Sequence, residues 1–342
     1  MRLHFRQLRS LAVFAGLTTF WSIAIATAAT SDPGCPPPNR GQALEGFVEV
    51  HGVRLQYLDW QGSGPALILI HGAADDPHVF DDLAPAFIDR FHVIAYARRG
   101  SGASDARGPY DVATLTQDLL ELMDALGIAK AALVGHSAGG NEVTEMASLH
   151  PERVDRVVYL DAAHNYADPS YQAAHATIPP AVFDEPASAM ASLEAFRSFQ
   201  KAIWYPELDH LGRLEAYLRA KVTLQPDGRV RDRVPKEVRD AIWSGMLAGK
   251  PRDYTRVHCP ALAIFAQYAL DVHVADPHRR ADAIAWEQRY WGPFQAKSAA
   301  QIERELPGVE IVQIPDSRHV SFFLTHRVQV VSVMRRFLGA EP

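Results

Sequence analysis

The chain has 342 residues, 48% apolar and 22% charged, with a formal net charge of −6. That is enough apolar content for one large core. The acidic balance and the lack of any block of five or more like charges leave no basic surface for nucleic acid to hold.

The N-terminus reads as a targeting segment. Arg2, Arg6 and Arg9 form a positive head, Leu11 to Ala26 is almost uncharged, and Ala26-Thr27-Ala28 fits a signal-peptidase site. The expectation is a signal peptide over 1–28 and export to a bacterial periplasm or the medium, with no stable membrane insertion afterwards. The alternative, a membrane anchor, has only about 16 apolar residues to work with, short of the roughly 20 a bilayer needs. Residues 29–43 are proline-rich and read as an N-terminal arm. Cys35 follows Asp32-Pro33-Gly34, without the aliphatic residue that a lipoprotein site carries. Cys35 and Cys259 have the option of pairing in an oxidising compartment; otherwise Cys259 is a small residue buried at a strand entrance.

From there, short apolar runs alternate with helical patterns, the signature of a mostly parallel sheet. The runs are 47–51, 55–60, 66–70, 93–97, 131–135, 157–160, 261–266 and 310–314. The middle ones are continuous Val, Ile, Leu and Ala, as expected of strands covered on both faces. Leu115, Leu119, Leu122 and Leu126 recur at helical spacing. A second helix opens near Asn141, and Arg327 to Leu338 closes the chain with Val328, Val331, Met334 and Leu338 on one side. The fold class expected is α/β: an eight-stranded, mostly parallel sheet with helices on both faces. Its core spans 44–164 and 256–342. Residues 165–255, rich in aromatics such as Tyr166, Tyr171, Phe183, Phe196, Trp204, Tyr217 and Trp243, are too long for a connecting loop. They read as a helical cap insertion, with a plain extra packing layer as the alternative.

The sharpest chemical signal is Gly135-His136-Ser137-Ala138-Gly139, placed after an apolar strand and before a helix. A serine raised on so tight a turn crowds its backbone, and glycines two residues to either side relieve the crowding. The helix N-terminus behind it favours negative charge as it develops. With this motif the chain resembles the α/β-hydrolase superfamily, over about residues 44–339, in a serine-esterase or perhydrolase-like branch. The resemblance implies an oxyanion hole from the backbone N–H groups of Ala73 and Ala138, in a loop shaped by His71 and Gly72. His71 is expected to orient that loop without acting as a base. Arg98-Arg99-Gly100-Ser101-Gly102-Ala103-Ser104 is similar to a stretch found in esterases, perhydrolases and epoxide hydrolases. Arg99 there, and His136 beside the nucleophile, are expected to shape the site, with Ser101 and Ser104 structural.

Among 15 histidines, His319 stands where the superfamily carries its base, after the final strand, with His326 too far into the last helix. The acid departs from the common pattern. After the seventh strand, where relatives read Gly-x-x-Asp, this chain has Ala269 at the expected place and Asp271 two residues late. Asp161, at the end of the sixth strand, is the favoured acid, with Asp271 and then Asp276 as alternatives. The reaction implied is hydrolysis of a small carboxylic ester bearing an apolar group, through an acyl-serine, with no cofactor and no metal. Aspartate-nucleophile chemistries are disfavoured by Ser137. The alternatives are an aminopeptidase using Glu185, Glu194 or Glu207 to hold an amine, a cofactor-free perhydrolase, a carbon–carbon bond hydrolase, and a ligand-binding relative with a vestigial triad.

Overall fold

The structure is a computed structural model that describes residues 42–340 except 74, 179–185, 210 and 275. The signal-peptide segment, Cys35, most of the proline-rich arm, Phe183 and Glu185 lie outside the described residues. No helix among the described residues is long and apolar enough to cross a membrane.

Eight strands form one sheet: β1 (Leu44–Val50), β2 (Val53–Gln61), β3 (Ala66–Ile70), β4 (His92–Tyr96), β5 (Ala131–His136), β6 (Val154–Leu160), β9 (Ala261–Tyr268) and β10 (Glu310–Arg318), in the order β1-β2-β4-β3-β5-β6-β9-β10. A separate antiparallel hairpin holds β7 (Val222–Leu224) and β8 (Val230–Asp232). In the main sheet β2 runs antiparallel to both β1 and β4, and every other pairing is parallel.

The two-residue period of a strand sorts the central side chains to opposite faces. Leu67, Leu69, Val134, Leu160 and Ile264 join one apolar cluster, against Val330, Val333 and Met334 of helix α10 (Arg327–Leu338). Ile68, Ile70, Leu133, Val157, Tyr159 and Ala263 join the other. That second face is covered by Leu119 and Leu122 of α1 (Val112–Ala125), Val143 and Met146 of α2 (Gly139–Leu149), and Ile302 of α8 (Gly292–Glu305). Helices on both sides explain why these strands read as unbroken apolar runs.

The chain between β6 and β9 carries α3 (Pro169–Ala176), α4 (Leu193–Ile203), α5 (Glu215–Lys221), the β7–β8 hairpin and α6 (Lys236–Leu247). The purely helical expectation for this region therefore missed one hairpin. Its signal was available: Pro226-Asp227-Gly228 is turn chemistry, and Gly228 takes a φ of +83°. Between β9 and β10, α7 (Pro277–Trp286) leads through a short π-helical turn, Glu287–Trp291, into α8. A four-residue helix α9 (Phe322–Thr325) precedes α10. Cys259 sits half-buried at the entrance to β9, and burial pushes its thiol up to about 11.

Candidate active site

The C-terminal ends of the parallel strands share one edge of the sheet, the place where such sheets gather their chemistry. Ser137 leaves β5 on a turn that takes it to a φ of +50°, a conformation that costs a non-glycine residue on the order of 1–2 kcal/mol. Glycine is required around it. A Cβ on Gly135 would meet the Gly139 carbonyl carbon at 2.6 Å, and one on Gly139 would meet the Ile70 oxygen at 2.5 Å. The strained turn is thus held by the close approach of β3, β5 and α2.

His319 follows β10, whose pairing with β9 shifts register between Ile314 and Arg318. Its N–H donates to the Tyr268 carbonyl at 2.8 Å. The imidazole Nε2 stands 2.9 Å from Ser137 Oγ, and Nδ1 stands 2.6 Å from Asp161 Oδ2. Asp161 directly follows β6, wholly buried and itself at a φ of +44°, a region that aspartate tolerates better than most residues. Burial opposes its ionisation, yet His164 and His319 together hold the carboxyl well below the usual carboxylate range. It is Asp161, not Asp271 or Asp276, that lies against His319. Asp271 accepts the His273 N–H in a turn at 2.9 Å, and Asp276 caps α7 by accepting from the Arg279 N–H.

After β3 the loop His71-Gly72-Ala73 approaches Ser137 so closely that a Cβ on Gly72 would come within 3.2 Å of the serine Cβ. The N–H groups of Ala73 and Ala138 donate to no acceptor among the described residues. Two free amides beside a serine hydroxyl are the donor pair that a tetrahedral oxyanion requires. His71 is fully buried. Its Nδ1 donates to the Gly72 carbonyl at 2.8 Å, and its Nε2 accepts the Arg98 N–H at 3.3 Å. Burial and Arg98 lower its pKa to about 3, so it is a neutral brace. His136 packs beside the His319 ring and donates to the His319 carbonyl at 3.0 Å. Burial and the neighbouring His319 lower it to about 4.

The expectation for Arg99 needs correction. Its guanidinium turns to Asp118 on α1, at 2.5 and 2.6 Å, and so anchors the loop without reaching the site. Arg98 is the residue that shapes the site. It donates to the carbonyls of His71 and Gly72 and to Glu142 Oε1 at 2.9 Å. Glu142 is completely buried in α2, and its other oxygen accepts from Tyr96 at 2.5 Å. Neighbouring arginines in sequence give no indication of which one turns inward. Arg98→Met should lower unfolding free energy by about 3–5 kcal/mol, because it strands a buried carboxylate. Adding Glu142→Gln should recover much of that stability but not the activity, since the loop carbonyls stay unheld. Denaturant unfolding beside a rate assay checks both.

Glu287, on the π-helical turn, was also missed by sequence reasoning. It accepts the N–H groups of Ala269 and Leu270 at 2.8 and 2.6 Å, and so fastens the loop after β9. Burial, outweighing these hydrogen bonds, raises its pKa from 4.5 to about 7. Between those values the folded protein keeps a proton that the unfolded chain has lost. The associated stability is therefore full below about pH 4.5 and disappears as pH rises through 7. Glu287→Gln keeps the acceptor and cannot ionise. It should melt higher than wild type at pH 8 and with little difference at pH 4.5.

Around Ser137 the walls are apolar. Ala138, Tyr166, Tyr171, Met246, Trp291 and Phe294 form one cluster, with Ala73 and Trp243 packed against it. The buried Tyr166 hydroxyl has no hydrogen-bond partner among the described residues and lies near enough to Ser137 to feel it, while burial keeps the phenol neutral. Ligand atoms of Asp161, His164 and His319 fall within 4.8 Å of one another, a spacing able to hold a metal ion. A metal on His319 Nδ1 would place that residue's proton on Nε2 and end its ability to accept from Ser137.

Residues 65–201 match the model of the alpha/beta hydrolase fold family. A putative carbamate hydrolase, RutD, of Caulobacter sp. strain K31 is 42% identical over 122 residues, 34% of this chain and 41% of that protein. Bifunctional epoxide hydrolase 2 of Sus scrofa is 31% identical over 188 residues, 50% of this chain and 34% of that protein. The matched segments thus span between 34% and 43% of the curated relatives' lengths, the 34% including a Mycobacterium tuberculosis protein at 37% identity. The crystal structure of E-2-(acetamidomethylene)succinate hydrolase superposes with a TM-score of 0.68 at 20% identity, over 87% of this chain and all of that one. With the sheet order described above, these likenesses show that the chain has the alpha/beta hydrolase fold.

Proposed function

We propose that the protein is an exported serine hydrolase that cleaves a carboxylic ester through an acyl-Ser137 intermediate. The observation that carries this reading is the unbroken line from Ser137 Oγ through His319 to Asp161, at 2.9 and 2.6 Å. His319 Nε2 takes the serine proton as Oγ attacks the ester carbonyl carbon. The oxyanion is held by the N–H groups of Ala73 and Ala138, and Asp161 stabilises the imidazolium and fixes its tautomer. His319 then returns the proton to the departing alcohol oxygen. Water repeats the sequence on the acyl-enzyme and releases the acid.

Three features favour an ester over the rival chemistries. Epoxide opening of the kind named for the porcine relative proceeds through a carboxylate nucleophile, and Ser137 stands in that position. The carbamate named for the bacterial relative is cleaved at an acyl carbon, which suits a serine. An aminopeptidase needs a free acid to hold an amine, but Glu207 is bound by Arg318 at 3.0 Å and by Ser321, and Glu194 is exposed beside Arg197. We read residues 165–255 as a cap because Tyr166, Tyr171, Trp243 and Met246 complete the apolar wall around Ala73 and Ala138. Such a wall suits an ester with an apolar acyl or alcohol group. Export rests on the pattern of the first 28 residues.

A fluorophosphonate probe and a substrate panel test the proposal. Wild type should label at Ser137 and prefer nitrophenyl esters of medium chain length to aminoacyl anilides. Preference for the anilides sinks the esterase assignment, and a folded wild type that fails to label sinks the serine mechanism.

A further inference from the structure

Asp161 carries a second imidazole. His164, three residues on and wholly buried, places Nε2 3.1 Å from Asp161 Oδ1, the oxygen that His319 does not use. Among the described residues, the only other group on that oxygen is the Ala266 N–H, at a long 3.2 Å. With the carboxylate ionised, Nε2 must carry the proton of the neutral ring, so Nδ1 is a bare lone pair. That lone pair has no partner among the described residues. Around the ring stand Tyr166, Phe265, Trp291 and Phe294, with centroids 5.0–5.9 Å away.

An imidazole with one nitrogen unsatisfied in an aromatic wall is a poor choice for packing alone. Leaving a buried acceptor unmade costs about 1–3 kcal/mol, whereas a phenylalanine would fill such a wall at no polar cost. What the histidine supplies is a rigid N–H aimed at the acid. We propose that His164 is a positioning residue for the reaction: its Nε2–H pins Asp161 Oδ1 so that Oδ2 stays aligned with His319 Nδ1. This rests on the Ser137–His319–Asp161 mechanism above and adds a fourth member to it. A carboxylate held at both oxygens cannot rotate about its Cβ–Cγ bond, and misplacement on the ångström scale costs on the order of 10²-fold in rate. The charged or titratable groups facing His164 are Asp161, His319, Arg252 and the Tyr166 phenol. Of these, Asp161 is the one within hydrogen-bonding distance of its ring nitrogens.

The test compares His164→Phe, which keeps the bulk and removes the donor, with His164→Gln, whose Nε2 stands where the imidazole Nε2 stood. His164→Phe should lose about 10–100-fold in kcat on a nitrophenyl ester, with KM within threefold. Its far-downfield proton resonance, from His319 Nδ1–H against Asp161, should weaken and move. His164→Gln should restore kcat to within about fivefold of wild type, together with the resonance. Full kcat in His164→Phe with the resonance unmoved overturns the proposal. So does a folded His164→Gln variant impaired as deeply as His164→Phe, because shape and not donation would then be what matters. If His164→Phe does not fold, the glutamine variant decides alone. Wild-type labelling at Ser137 separates the two levels: its failure removes the serine mechanism, whereas the His164 variants bear only on the fourth member.

Discussion

Ser137→Ala is expected to lower kcat by about 10⁶-fold, with binding of substrate little changed. The size follows from what is lost. On the proposed mechanism there is no acyl-enzyme without Oγ, and the residual rate comes from water attacking an ester held by the Ala73 and Ala138 amides. Because serine and histidine act as one unit, adding His319→Ala should cost little more. A steady-state assay of both variants checks this, and strict additivity of the two losses would mean that they do not share a step. The same position carries a second expectation. Ser137 holds a φ of +50°, so Ser137→Gly should be as inactive as alanine yet more stable than wild type by about 1 kcal/mol. Thermal or denaturant unfolding measures that gain. Its absence would show that the turn around Gly135 and Gly139 stores no strain at the nucleophile.

The parts of this architecture visible in the sequence are those governed by local rules. β3 and the apolar stretches of β5, β6 and β9 are legible because a strand segment covered on both faces leaves no polar position to confuse the pattern. The start of β6, with Asp155 and Arg156, and the end of β9, with Gln267, fall outside the apolar runs for the opposite reason. β10 was seen only to Ile314, because its extension to Arg318 passes a register shift and includes Pro315 and Asp316. Ser137, Ala138 and Ala73 lie at fixed distances from strand ends and could be placed by counting. Asp161 was legible for the same reason: Leu160 is the last residue of β6. What stayed hidden depends on side-chain direction or on contacts distant in sequence. Arg98 and Arg99 are equivalent as letters, and only the fold turns one to Glu142 and the other to Asp118. Glu142 is a charged residue on a helix, which a pattern assigns to solvent, yet it is fully buried. Glu287 reaches the loop after β9 from a π-helical turn that no simple periodicity encodes. His164 was one of 15 histidines until the end of β6 brought its ring back onto Asp161.

Asp161→Asn should reduce kcat by about 10⁴-fold while the protein stays folded, and Asp271→Asn should leave the rate within twofold of wild type. The asparagine result follows from counting donors. In the native site Oδ1 accepts from His164 Nε2–H and the Ala266 N–H, and Oδ2 accepts from His319 Nδ1–H. Three donors converge on a group that only accepts. An amide must turn its NH₂ toward one side. Facing Oδ1's partners, it meets the Ala266 N–H, a donor that cannot change its proton. Facing His319, it meets an imidazole that relieves the conflict by moving its proton from Nδ1 to Nε2. The second arrangement is the cheaper one, and it disarms the base, because an Nε2 that carries a proton cannot accept one from Ser137. The loss therefore arises from a wrong tautomer in an intact geometry, and Asp161→Asn should still bind substrate and melt near wild type. Asp271 has no such part: its carboxylate closes a turn onto the His273 N–H. Rate measurements on the two asparagine variants decide the matter, and a 10⁴-fold loss confined to Asp271→Asn would move the acid to the end of β9.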